Sequence, residues 1–188
     1  MRPLLENYSW PKKSKSMTSF DLLSRLTKKA KTSGFWLWML NVVLARVVPF
    51  NRAHGFKIVE IDDHLVRTAV PYRKSNHNHI RGIHACALAT VSEISAGFLL
   101  MQNFPPTHYR LIMSRMDVEY NYQAKMRVVS ESRLSREQLE HDILKPLETA
   151  SSVDIKMRSD VVDDSGNLVV IAYTFWQIKR WDEVRTKV

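Results

Sequence analysis

Residues 85–101 read ACALATVSEISAGFLLM, and this stretch decides the fold. As a helix it is apolar or small on every side, a pattern expected of a segment buried all round. Glu93 is its one charged residue. Burying a carboxylate is costly unless it is paired or hydrogen-bonded. At helical spacing Glu93 is flanked by Ala89, Thr90, Ala96 and Gly97, all small, which leaves room for a ligand or a second chain to reach it. Two readings stand side by side. Glu93 is a catalytic base or nucleophile of perturbed acidity, or it is a structural carboxylate satisfied by an arginine or by backbone amides across an interface.

The start of the same helix carries a second candidate. The first N–H groups of a helix have no partner within it, and the helix dipole favours negative charge there. The amides near Ala85 and Cys86 are therefore suited to a carbonyl oxygen that is becoming an oxyanion. His84 lies just before them, and Asn78 lies six residues upstream in a polar loop. A lone histidine or loop asparagine is more often structural than catalytic.

Around this helix the pattern is that of strands. Phe56–Ile61 and Leu65–Tyr72 flank Asp62-Asp63-His64, a hairpin turn. Tyr109–Tyr120 alternates, with Ile112, Ser114, Met116, Val118 and Tyr120 on one face. Lys125–Ser132 is a further strand. Ser135 and Gln138 form a capping-box pattern that opens a short helix with Leu139, Ile143 and Leu147 on one side, bent near Pro146. Val153–Val162 and Leu168–Arg180 are two long strands joined by a turn at residues 164–167. Strands linked by short turns favour an antiparallel sheet, and one long helix can cover a face of it, giving an α+β fold.

Ahead of the strands, residues 1–17 have no periodicity and read as a loose arm. A basic helix spans roughly 18–32, where Phe20, Leu23, Leu26 and Ala30 form a narrow apolar stripe. Gly34 breaks it, and an aromatic-rich helix runs to Val48, where Pro49 stops it. The apolar run Phe35–Val48 is fourteen residues long. A bilayer span takes about 20 apolar residues, so this one is too short. It also lacks the layout of a signal peptide. It either packs on the domain, burying Phe35, Trp36, Trp38 and Leu40, or lies in a membrane interface beside its basic neighbours. The expected division is a basic arm with helices over 1–48, a main domain over 49–182 and a tail over 183–188.

Composition narrows the function classes. With 45% hydrophobic and 25% charged residues in 188, the chain has the make-up of a folded domain. A single cysteine, Cys86, excludes an internal disulfide and a multi-cysteine zinc site, and it fits a reducing, cytoplasmic location. The net charge of +9 is concentrated at the start, where residues 1–34 hold eight basic residues against two acidic ones. Such an arm can meet nucleic acid, make peripheral contact with an anionic membrane, or be merely solvated, which is the commonest case. The rest is mildly basic and has no aromatic-basic recognition motif, so nucleic acid is not an expected partner. No glycine-rich phosphate loop is present. His77, His79, His84 and Cys86 are close in sequence but match no metal-ligand spacing, and no metal or other cofactor is expected. His84 and Cys86, two apart, do not face each other on a helix and make a poor nucleophile pair.

The segment Asn78-His-Ile-Arg-Gly82-Ile-His84-Ala85, with Glu93 nine residues after His84, resembles hotdog-fold thioesterases of the PaaI type. Together with Pro49–Gly55 it looks closest to the thioesterase family that includes the YiiD C-terminal domain, and the resemblance covers roughly Pro49 to Trp181. It implies a hotdog fold, with an antiparallel sheet wrapped around the long helix. It also implies a homodimer or higher homo-oligomer with active sites at the subunit interface, and an acyl-CoA or other acyl thioester as substrate. Glu93 then stands where the family's base or nucleophile stands, and Asn78 where an amide side chain orients water or substrate. Ala85 takes the place of the glycine whose N–H polarises the thioester carbonyl, so here a methyl group crowds the approach. His84 and Gly82 support the loop. The alternative is a non-catalytic acyl-binding or scaffolding hotdog protein.

Overall fold

The computed structural model describes residues 18–184; the arm over 1–17 and residues 185–188 of the tail lie outside the described residues. Helices α1 (Thr18–Ala30), α2 (Gly34–Val47) and α3 (Pro49–His54) precede strands β1 (Lys57–Ile61) and β2 (Leu65–Val70). The long helix α4 (Ala85–Asn103) follows, then β3 (Tyr109–Tyr120) and β4 (Val128–Arg133). A helical stretch made of α5 (Arg136–Gln138), a wider turn over Leu139–Leu144 and α6 (Lys145–Thr149) leads to β5 (Ser152–Asp163) and β6 (Leu168–Arg180). The six strands form one sheet in the order β1-β2-β4-β5-β6-β3, with every neighbouring pair antiparallel. From β1 onward, the order of strands and main helices read from the sequence is the observed one.

Helix α4 lies on one face of the sheet, and its middle turns carry serines rather than large residues. Ser92, Ser95, Ser130, Ser132 and Ser159 are all fully buried. Ser159 donates to the carbonyl of Ser92 at 3.0 Å, and Ser95 to the carbonyls of Val91 and Ser130 at 3.1 and 3.3 Å. These short side chains let helix and sheet approach closely, and the hydroxyls of Ser92, Ser95, Ser132 and Ser159 are bonded, while that of Ser130 has no partner among the described residues. Larger apolar side chains fill the two ends. Leu99, Leu100, Phe104, Tyr109 and Ile178 pack at one, and Val70, Leu88, Val91, Val128 and Val170 at the other. The carboxy-terminal end of α4 is tied to the β1–β2 turn, because Gln102 and Asn103 donate to the carbonyls of Asp62 and Asp63.

Four local expectations are corrected. Pro49 ends α2 but also opens α3, sitting at its first position, where the missing N–H costs nothing. That short helix closes on Gly55 at φ 67°, where the Arg73 guanidinium occupies the space a side chain would need. In β3 the alternation breaks at a bulge between Met113 and Arg115. Leu111 and Met113 face the helix side opposite Ile178 and Trp176, while Met116 and Val118 do so opposite Thr174 and Ala172. The extra residue, Ser114, shifts the phase by one and turns Ile112 outward. Helix α4 is not buried all round: Cys86, Ala89, Thr90, Glu93 and Gly97 form a half-open stripe along one side.

The fourth correction concerns α2. Its inward face of Leu37, Leu40 and Leu44 joins the core, and Trp36 is half-buried beneath the Lys29 ammonium. Phe35 and Trp38, however, are 62% and 58% exposed. Trp38 lies about 200° around the helix from Leu40, so both cannot point into one core. Asn41, the polar residue within this apolar run, has a structural task. Its side chain accepts the N–H of Ile58 and donates to the Ile58 carbonyl, both at 2.8 Å, and so satisfies the free edge of β1.

Candidate active site

The head of α4 is held from below by a buried loop residue, Asn76. Its amide donates to the carbonyls of His54 and Pro71, both at 2.9 Å, and its carbonyl oxygen lies 3.0 Å from His54 Nδ1. Its backbone oxygen accepts the N–H of His84 at 2.8 Å, and Ile83 donates to the Ala124 carbonyl at 2.9 Å. The chain therefore enters α4 in a fixed direction. His84 is the N-cap, in extended conformation, and its Nδ1 accepts the amide of Cys86 at 3.1 Å. The His84 carbonyl takes the amides of Ala87 and Leu88. Of the first four amides of the helix, that of Ala85 alone has no acceptor among the described residues.

Asn78 closes the loop that precedes this point. Its side-chain oxygen accepts the amides of Ile80 at 3.1 Å and Gly82 at 2.9 Å, and its own N–H donates to the Gly82 carbonyl. Arg81 takes a φ of 60° in this tight turn. A Cβ at Gly82 would lie 2.8 Å from the exposed Gln123 side chain, which would have to shift to admit it. The oxygen of Asn78 is thus committed to the loop, and its NH2 group is the part left for a ligand.

Asn78 and Ala85 meet at one cleft of about 330 Å³, which Ile83, Leu88, Tyr120 and Gln123 also line. Tyr120 donates to the Ala85 carbonyl at 3.2 Å, and burial followed by the neighbouring Cys86 holds its phenol above its ordinary pKa. Its lining is apolar at Ile83 and Leu88 and polar at Asn78, Tyr120 and Gln123, and Ala85, whose N–H has no acceptor among the described residues, borders it.

Glu93 is not in this cleft. It lies eight residues further along α4, about 12 Å down the axis. Its carboxylate has no hydrogen bond or ion pair to any described residue, and burial alone raises its pKa above the ordinary carboxylate range. Gly97 makes its setting. A Cβ at Gly97 would lie 2.8 Å from Trp176 Cη2 and 3.5 Å from Glu93 Oε1, so the indole and the carboxylate both border this small residue. Trp176 is 7% exposed, and its Nε1 has no hydrogen-bond partner among the described residues. Its register partner on β3 is Met113, which places the half-open stripe of α4 beside that edge strand.

The structure therefore brings Asn78, Gly82, His84 and Ala85 together and sets Glu93 apart from them within one chain. Asn76, Tyr120 and Trp176 are additions that sequence reasoning missed. Of these only Trp176 left a signal, since a glycine one turn after a buried carboxylate invites a large neighbour. No group of three His, Cys, Asp or Glu side chains among the described residues is arranged to hold a metal ion.

Among solved structures, the chain is similar to the Pseudomonas aeruginosa protein PA5026, a probable thioesterase. The match covers 74% of this chain and 93% of that one, at 21% identity and a TM-score of 0.69. It is similar to the thioesterase SAV0944 of Staphylococcus aureus over 70% of this chain and 99% of that one, at 15% identity and a TM-score of 0.58. It is also similar to the thioesterase HI1161 of Haemophilus influenzae over 80% and 94%, at 9% identity and a TM-score of 0.62. At these identities the likeness shows the fold alone, a hotdog fold, to which this chain adds the helices α1–α3 at its start. No curated protein matches the chain. A family model described as a domain of unknown function, DUF4442, matches residues 37–178, from within α2 almost to the end of β6. The chain belongs to the DUF4442 family.

Proposed function

We propose that this protein is an acyl thioester hydrolase, acting on an acyl-CoA or a related thioester as a homodimer with sites shared between subunits. The observation that carries the reading is Glu93, a largely buried carboxylate with no cation or donor beside it among the described residues. A carboxylate held for structure within its own chain would have a partner there. A base does not need one, and a raised pKa brings it nearer the pH at which it must take a proton.

In the proposed reaction Glu93 accepts a proton from water as the water oxygen attacks the thioester carbonyl carbon. The carbonyl oxygen becomes an oxyanion held by the Ala85 N–H. The Asn78 NH2 group helps place the reacting groups. The tetrahedral intermediate then expels the thiolate, which recovers the proton from Glu93, and a carboxylic acid and a thiol leave.

Two groups about 12 Å apart on one helix cannot serve the same carbonyl. A second copy resolves this. Strand β3 is an edge of the sheet, twelve residues long, with Ile112, Met113 and Tyr120 exposed. Such an edge invites pairing. A copy joined to it through a two-fold axis would bring its own α4 beside the half-open stripe, so that Glu93 of one subunit faces the Ala85 N–H of the other. This is the arrangement that the resemblance to PaaI-type and YiiD-like thioesterases implies. A cytoplasmic setting belongs to the same proposal, since the exposed thiol of Cys86 suits a reducing compartment.

The test is a panel of acyl-CoA thioesters with detection of the free thiol, run beside light scattering. Thiol release by a dimeric wild-type chain is the expected result. Tight acyl-CoA binding without release would favour an acyl-binding protein instead, and a stable monomer would remove the shared site.

A further inference from the structure

We propose that the outer face of α2, with the basic residues of α1 beside it, is a docking surface for an anionic phospholipid membrane. At helical spacing Phe35 and Trp38, both exposed, share one side of α2 with the half-exposed Val42 and Ala45, and Arg46 lies at its end. A helix face turned to water is ordinarily polar, and this one has no polar residue before Arg46. Phe35 packs edge-on against Trp36, with ring centroids 5.4 Å apart, and lies 6.0 Å from Trp38. The exposed rings therefore brace one another.

Charge points to the partner. Residues 18–52 contain six basic side chains and one acidic one, Asp21. Lys31 is engaged by Asp63, whereas Arg25 and Lys28 on α1 and Arg46 on α2 are exposed. Aromatic and aliphatic side chains flanked by lysine and arginine are what an interfacial helix presents to anionic lipid. A second copy fits less well, because a two-fold contact would bring the two basic hairpins together. Position argues the same way. Helix α2 packs on β1, at the opposite edge of the sheet from β3, so a homodimer formed through β3 leaves this face open.

The experiment uses the full chain with sedimenting vesicles of phosphatidylcholine alone or with about 30% phosphatidylserine, a composition that supplies the negative surface potential. The wild-type chain should sediment with the anionic vesicles, release as salt rises, and ignore phosphatidylcholine. Phe35→Ser with Trp38→Ser should lower partitioning about tenfold or more, since it removes the inserted apolar area. Arg25→Glu with Lys28→Glu should do so by a similar factor through charge alone. All four positions are exposed, and unchanged melting temperatures confirm that the variants fold. Absence of sedimentation by the wild-type chain overturns the proposal, as does equal binding to both vesicle types. A fall in solution mass on Phe35→Ser with Trp38→Ser, without vesicle binding, assigns the face to a second copy and likewise overturns it.

Discussion

His84 Nδ1 accepts the amide N–H of Cys86 at 3.1 Å, which takes one of the first amides of α4 out of play and leaves that of Ala85 open. The histidine that the sequence places beside the candidate site is therefore a helix cap. Its replacement by alanine should cost about 1 kcal/mol of stability, and His84→Asn, which keeps a capping oxygen, should recover most of it. Denaturant unfolding of the three chains measures this. Equal stability of all three would mean that the cap contributes nothing.

Ala85 occupies the first position of α4, where proline is tolerated, and it follows a residue already in extended conformation. Ala85→Pro should therefore leave the far-ultraviolet circular dichroism intact while removing the open N–H. Loss of one such donor lowers turnover about 10²–10³-fold. Ala85→Gly restores the space that the methyl group takes and should not reduce turnover. Full activity in the folded proline variant would exclude the amide as oxyanion donor.

Burial holds the Glu93 pKa above its ordinary value, so the folded chain binds this proton more tightly than the unfolded chain does. The stability linked to Glu93 is fully present below the ordinary carboxylate pKa and is lost as pH rises through the raised one. Glu93→Gln cannot ionise. Its melting temperature relative to wild type should therefore rise from acid to neutral pH, with both chains compared at one protomer concentration. A difference that falls with pH would mean that the carboxylate is paired and structural.

Gly97 lies against the Trp176 ring, 2.8 Å from where a Cβ would stand. Gly97→Ala should destabilise the chain by about 1–3 kcal/mol through overpacking. Trp176→Phe, which removes the far ring edge, should relieve most of that cost in the double variant. Additive losses in the double-mutant cycle would show that the two residues do not press on each other.

The antiparallel sheet with one long helix was legible because its signals are periodic, and the hotdog fold was legible only through the resemblance carried by Asn78–Ala85 and Glu93. The small, apolar run over Ala85–Met101 and the strand alternations stand out without knowledge of contacts, and the capping box of Ser135 and Gln138 forms as its spacing implies. Glu93 stood out as the only charge in that run. What stayed hidden depends on tertiary contact. A bulge at Ser114 leaves no mark in residue types, so the face of Ile112 was misread. The outward turn of Trp38 follows from which side of α2 meets β1, and hydrophobicity all round the helix cannot specify that. Asn76, the buried hub beneath the site, looks like any loop asparagine until its three side-chain bonds, to His54 and Pro71, are seen. Asn78 was read as a ligand-facing amide, yet half of its side chain closes its own loop.

The shared site is tested most directly by complementation between Glu93→Gln and Ala85→Pro chains. Each variant dimer alone should be nearly inactive on an acyl-CoA that the wild type hydrolyses. If Glu93 of one subunit works with the Ala85 amide of the other, a purified mixed dimer has one site with both lesions and one intact site, and about half of the wild-type activity should return. A mixed dimer as inactive as its parents would place both groups in the same chain's site, and an active Glu93→Gln dimer would remove Glu93 from the chemistry.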